Sequence, residues 1–199
     1  MLLRGLAAPL RHVDHVTRVD ALLVLDGGRG YTLAADWINA GLAGEVLLYD
    51  RQPGRVAQLG ILPTHLELAQ QAAAKAELPR EKLRILDIEP VADLDELLKQ
   101  IMALHSQDFR IGLVVSEWRS GLIYQKLRVA SCGNERPLLI LIDDPEVLPD
   151  RWWHTRHGVR QVAMSWIALI SECCFTKQRR PALTNDDFRR AAVLEHPHE

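Results

Sequence analysis

Five apolar residues, Ala21 to Leu25, run without a polar break into Asp26-Gly27-Gly28-Arg29-Gly30. A helical pattern follows at once, from Tyr31 to Ala40. A strand buried on both faces reads as a continuous apolar run. A glycine-rich turn after it lets backbone N–H groups approach a ligand, and the start of the next helix favours anions. This order confines the opening to a strand–turn–helix unit and marks a candidate binding loop. It specifies no reaction.

The unit recurs along the chain. Glu45–Tyr49 predicts a second strand, and Asp50–Pro63 a long loop with Pro53, Gly54, Gly60 and Pro63. Thr64 has Glu67 three residues on, a capping-box spacing, and opens a helix to about Glu77. Leu83–Leu86 is a short third strand, and Asp93 caps a helix to about His105. Ile111–Val115 is a fourth strand, followed by a helix over Trp118–Ala130. Leu138–Ile142 is a fifth strand, ending at Asp143-Asp144-Pro145. A last helix spans about Thr155–Phe175, with apolar Val159, Val162, Ala163, Trp166, Ile167 and Ile170 at spacings of three and four. Strands alternating with helices predict crossover units and a parallel sheet. The expected fold is α/β: a three-layer Rossmann-like sandwich with a mainly parallel sheet of about five strands. Residues 1–17 read as an N-terminal extension, 18–176 as the α/β domain and 177–199 as a polar tail. The pattern contains no internal repeat and no linker to a second domain.

The 199 residues, 48% hydrophobic and 25% charged, suit one soluble domain. A net charge of −2 argues against nucleic acid as a partner, which needs a basic surface. The basic clusters Lys177–Arg180 and Arg189-Arg190 read as a solvated tail. Three cysteines, Cys173 and Cys174 adjacent, make neither a disulfide framework nor a zinc spacing, and reduced thiols fit the cytoplasm. The apolar stretch before Arg11 is too short for a signal-peptide core or a membrane span, so no integral membrane segment is expected. An amphipathic N-terminal contact with a membrane or partner is the alternative reading.

Ligands of parallel sheets bind beyond the carboxyl ends of the strands. That rule selects Asp26–Tyr31, Asp50–Gly60, Asp87–Asp93, Ser116–Ser120 and Asp143–Trp153. Gly27, Gly28 and Arg29 offer an anion cradle, with Asp26 to orient it; a tight turn needing positive φ is the plainer reading. Neither a Walker motif nor GxGxxG is present. Asp50 stands where a nucleotide-binding sheet carries a ribose-reading acid, though a solvated loop acid looks the same in sequence. Asp87, Glu89 and Asp93 can bind a metal or contact a ligand through Glu89; they read equally as a helix cap and exposed acids. Ser116 and Arg119 can hold an anion at a helix start, but SEWRSG is no hydrolase elbow. Trp152 and Trp153 read as a clamp for the last helix or as a roof over a ligand. His154 and His157 lack a third metal partner, and no metal is expected.

The order of these pieces resembles the bacterial ElyC/SanA/YdcF group over about residues 18–172. Its DALxVLxGG opening falls on Asp20–Gly28, and its AaxxxxxGLA pattern on Ala34–Ala43. Its VTSxYHxxR segment falls on Val114–Arg119, and its C-terminal aromatic ending on Arg151–Gly158. The departures are substantive. Tyr49-Asp50-Arg51 replaces the SGG after the second strand, and Glu89–Glu96 reduces an SxNTxEN segment. Arg119 replaces a histidine, and Leu33 a helix-borne arginine. The anchoring N-terminal helices of envelope members have no counterpart in this sequence.

The resemblance implies a Rossmann-like fold with a cleft at the strand ends. It also implies a role around envelope polysaccharide or lipid-carrier metabolism and a capacity for S-adenosylmethionine. The expectation is a cytoplasmic domain binding a small anionic or nucleotide-like ligand, with turnover by transfer or hydrolysis left unassigned. In the alternative, a non-catalytic adaptor, the changed cleft is idle and the last helix serves a homo- or hetero-oligomer.

Overall fold

A computed structural model describes residues 5, 7–15, 17–54, 58–106, 108–131, 136–144, 147 and 151–179. Parts of the sequence reading lie outside these residues: the apolar start before Gly5, Arg55, Pro145 and the tail beyond Arg179 with its Arg189-Arg190 pair.

The strands are β1 (Ala21–Val24), β2 (Glu45–Leu48), β3 (Leu83–Ile85), β4 (Ile111–Ser116) and β5 (Leu138–Ile142). The helices are α1 (Arg29–Asn39), α2 (His65–Lys75), α3 (Leu94–Leu104), α4 (Glu117–Ser131) and α5 (Arg156–Arg179). All strands pair in parallel, in the order β3-β2-β1-β4-β5. The fold is α/β and Rossmann-like, as the alternating pattern requires.

Successive strand side chains point to opposite faces, and this period of two divides the core. Leu23, Leu47, Leu113, Val115 and Leu139 meet Leu97, Leu98 and Ile101 of α3 and Ile123 and Leu127 of α4. Leu22, Val24, Val46, Leu48, Val114 and Ile140 meet Tyr31, Ala34 and Ala35 of α1 and Ala69 and Ala73 of α2. The central strands are apolar throughout because each face is covered by helices. Edge strand β3 is short and partly exposed, which limits its use as a pairing template.

Two helix starts follow from local chemistry. The Thr64 hydroxyl accepts from Glu67 N while the Glu67 carboxylate accepts from Thr64 N, a complete capping box. Asp93 accepts from Glu96 N at 2.9 Å, and Glu96 accepts from Ala92 N at 2.7 Å. Such caps contribute about 1 kcal/mol each. Asp93 is thereby employed as the cap.

A third apolar cluster joins Ala7, Leu10, Trp118, Val147, Trp152, Val162 and Leu169. The segment before β1 is therefore packed onto the sandwich. Its polar groups hold on as well. His12 N donates to Ser120 Oγ at 2.8 Å, and the Asp14 carboxylate accepts from Arg136 at 2.7 and 2.8 Å and from Leu139 N at 2.8 Å. The His12 ring stacks on Tyr124 at 3.6 Å. Among the described residues, no helix is long and apolar enough to cross a membrane.

Candidate functional site

The chain turns from β1 to α1 on one face of the sheet and from β4 to α4 on the other. Since β1 and β4 are neighbours, their two connections part at the carboxyl rim and leave a crevice, the switch point where such sheets bind ligands.

Asp26 stands at that boundary. Its Oδ2 accepts from Ser116 N at 2.6 Å, and its Oδ1 accepts from the Arg119 guanidinium. One carboxylate so fixes the end of β1 to both the end of β4 and the first turn of α4. Asp26, Ser116 and Arg119, three candidates from two different loops, are brought together.

The three glycines stand in three different situations. Gly28 has φ +56° and is the N-cap of α1, so it turns the chain where a side chain would strain it. At Gly30 a Cβ would lie 2.5 Å from Val24 Cγ1 and 3.2 Å from Ile142 Cδ1, so α1 approaches the sheet only because the side chain is absent. Gly27 has neither reason. Its φ is not positive, and a Cβ there would meet nothing within 4 Å.

The start of α1 is electrostatically open. It has no side-chain cap and no acid in its first turn. The first N–H groups of a helix lack intrahelical acceptors, and the dipole there favours negative charge. Tyr31 N and Gly30 N find turn acceptors in Gly28 O and Gly27 O at 3.1 and 3.3 Å. Arg29 is mostly exposed, with Nη1 3.9 Å from Asp144 Oδ1. Two guanidinium groups thus attend the β1–α1 turn: Arg29 opens α1 and is loosely held, and Arg119 is tied to Asp26.

Around this centre lie groups that the sequence did not single out. Tyr49, at the end of β2, is buried, and burial pushes its phenol pKa up. Arg51 and Arg119 oppose that rise and Asp26 adds to it, so Tyr49 feels the same charges as the switch point. Burial raises Tyr31 as well, with Tyr49 adding to it. His65, the first residue of α2, has Nδ1 3.2 Å from Tyr49 O and its ring 4.6 Å from the Tyr49 ring. A polar-tipped aromatic closing an apolar strand was the available signal for Tyr49. Glu117 is buried and paired with Arg11 of the N-terminal segment. Burial pushes its carboxyl up, Arg11 draws it back, and Asp143 and Asp144 push it up again.

The remaining candidates sit at the margins. Asp50 is half-buried, and its Oδ1 accepts from Arg51 N at 2.8 Å. Glu89 is exposed beyond β3, where Arg51 and Val91 form a parallel bridge that joins the second and third loops. Trp152 is buried in the third cluster, and Trp153 packs against that cluster, edge-on to Trp152 at 5.8 Å. That cluster reaches the rim through Trp118, the sequence neighbour of Arg119. Among the described residues, no group of three or more His, Cys, Asp or Glu is arranged to hold a metal ion.

Family models, curated proteins and solved structures provide no match to this chain.

Proposed function

We propose that this chain binds a small anionic or nucleotide-like ligand at the β1–β4 rim, with the anion on the start of α1. Gly27 and Gly28 present backbone N–H groups, Arg29 and Arg119 supply positive charge, and Asp26 and Ser116 fix the floor. Asp50 stands at the end of β2 to take a ribose hydroxyl, and Glu89 lies one loop further out. The single observation that carries this reading is Gly27. It is a glycine that the fold does not require, beside an uncapped helix start at the switch point.

Nucleotide sugars belong to this ligand class because they join a ribose to an anionic diphosphate, and S-adenosylmethionine shares the ribose and carries a carboxylate beyond its cationic sulfur. The half-buried Asp50 fits the ribose of either. The ElyC/SanA/YdcF resemblance favours a cytoplasmic transferase or hydrolase of envelope polysaccharide metabolism, and the free thiols of Cys173 and Cys174 accord with a reducing compartment.

Thermal unfolding tests the proposal, with pyrophosphate, ADP, a nucleotide sugar and S-adenosylmethionine as probes. A probe at about a hundredfold excess over its Kd stabilises the fold by about 2.7 kcal/mol, raising the melting point by roughly 5–10 °C in a chain this size. The rise should vanish in Arg29→Ala/Arg119→Ala. Melting that no probe shifts, or an equal shift in the double variant, contradicts the site.

A second reading, an adaptor whose rim is idle, is favoured by one observation: α5 leaves Met164, Ile167 and Ile170 exposed. Light scattering separates the two. An obligate assembly with no response to any probe supports the adaptor.

A further inference from the structure

Helix α5 is apolar over two adjoining faces, and the fold covers one of them. Gly158, Val162 and Leu169 are buried. Val159, Ala163, Ile167, Ile170 and Cys174 recur at spacings of three and four, so they line one stripe, and all are exposed. Ile167 is 61% and Ile170 54% exposed, values ordinary for a polar side chain. At the junction of the two faces lies a groove of about 370 Å³ lined by Trp152, Val159, Val162, Ala163 and Trp166.

Charge distinguishes among occupants of this surface. The helix sequence holds four basic residues, Arg156, Arg160, Lys177 and Arg179, against one acid, Glu172, in a chain whose net charge is −2. Glu172 is turned inward, where it accepts from Lys126 Nζ at 2.5 Å. Arg156 and Arg160 are exposed at the N-terminal end of the stripe. A second copy would bring like charges together, with no free acid on α5 to pair with them. A peptide strand would find no hydrogen-bond partner for its backbone in a groove lined by aliphatic and indole carbon. Hydrocarbon needs no such partner, and anionic headgroups match the arginines. An apolar stripe edged with arginine is the arrangement of helices that lie in a membrane interface.

We infer that the exposed face of α5 seats the protein on an anionic lipid bilayer, with hydrocarbon entering the groove at Trp152 and Trp166. The stripe and groove share no residue with the proposed β1–β4 site, so the two proposals are tested independently.

The test uses the full chain and vesicles of phosphatidylcholine, with and without about one-third phosphatidylglycerol. Co-sedimentation should favour the anionic vesicles by about tenfold or more and weaken as salt is raised. Ile167→Glu/Ile170→Glu should lose at least about tenfold in binding while keeping its melting point, because neither side chain is in the core. Arg156→Glu/Arg160→Glu should lose the preference for anionic vesicles. Anionic vesicles should also slow maleimide labelling of the exposed Cys173 and Cys174. Three results would overturn the inference: no binding to anionic vesicles, binding unchanged in Ile167→Glu/Ile170→Glu, or a dimer by light scattering that this variant dissociates while neither protein binds vesicles.

Discussion

The Asp26 carboxylate accepts the Arg119 guanidinium across the boundary between β1 and β4, and its other oxygen accepts the Ser116 backbone N–H. Asp26→Ala leaves a half-buried N–H without its acceptor and a guanidinium without its counter-charge. It should cost about 2 kcal/mol in urea unfolding. Asp26→Asn keeps an oxygen for Ser116 N and should cost about 1 kcal/mol. By weakening the hold on Arg119, Asp26→Asn should also tighten pyrophosphate binding, measured by titration calorimetry.

The glycine loop predicts a split among three alanine variants. Gly30→Ala forces a methyl group against Val24 and Ile142 and should cost about 1–3 kcal/mol. Gly28→Ala is strained by its φ of +56° and should cost about 1–2 kcal/mol. Gly27→Ala should leave stability within about 0.5 kcal/mol of the wild type. It should nevertheless weaken pyrophosphate binding, because the methyl group stands where the ligand approaches. Urea unfolding and calorimetry on the three variants check this directly.

The sequence foretold most readily what is local. The runs Ala21–Leu25 and Leu138–Ile142 are uniformly apolar because helices cover both faces of the sheet, and Thr64 and Asp93 cap helices through partners three residues away. Parallel strands with alternating helices then place Asp26 and Ser116 on one rim. What the sequence concealed depends on long-range contacts. Nothing near Asp14 announces Arg136 or Leu139, more than 120 residues away. Glu117 reads as an ordinary acid at a helix start, yet in the fold it is buried and paired with Arg11. Trp152 suggested a clamp for the last helix or a ligand roof, since an aromatic ring serves both, and it is a core residue.

Acid stability should depend on Asp14. Burial pushes its carboxyl up, but hydrogen bonds from Arg136, Leu139 N and His12 outweigh this and bring it from 3.8 to about 2. Its ionised form is therefore favoured by folding. The contribution, about 2 kcal/mol, is present above about pH 4 and is lost as pH falls toward 2. Asp14→Asn should remove it at neutral pH, so that the stability difference between the two proteins shrinks across that window. Chemical unfolding at stepped pH measures the difference.

Glu117 should act with the opposite sign. Burial raises its carboxyl above the usual value, so its ionised form is disfavoured by folding and stability falls as pH rises through the raised pKa. Arg11→Ala removes the opposing charge and should steepen that fall, costing about 2 kcal/mol at pH 7. Glu117→Gln in the same background should recover most of the loss. A double-mutant cycle by thermal unfolding at pH 5 and pH 8 separates the pair's coupling from the single costs.

Amide chemical shifts of the ¹⁵N-labelled full chain, recorded as pyrophosphate is added, test the binding account most directly. The account predicts saturable shifts largest at the N–H groups of Gly27, Gly28 and Arg29, with smaller ones at Ser116, and their loss in Gly27→Ala. Shifts confined to another surface, or none at millimolar pyrophosphate, would contradict it.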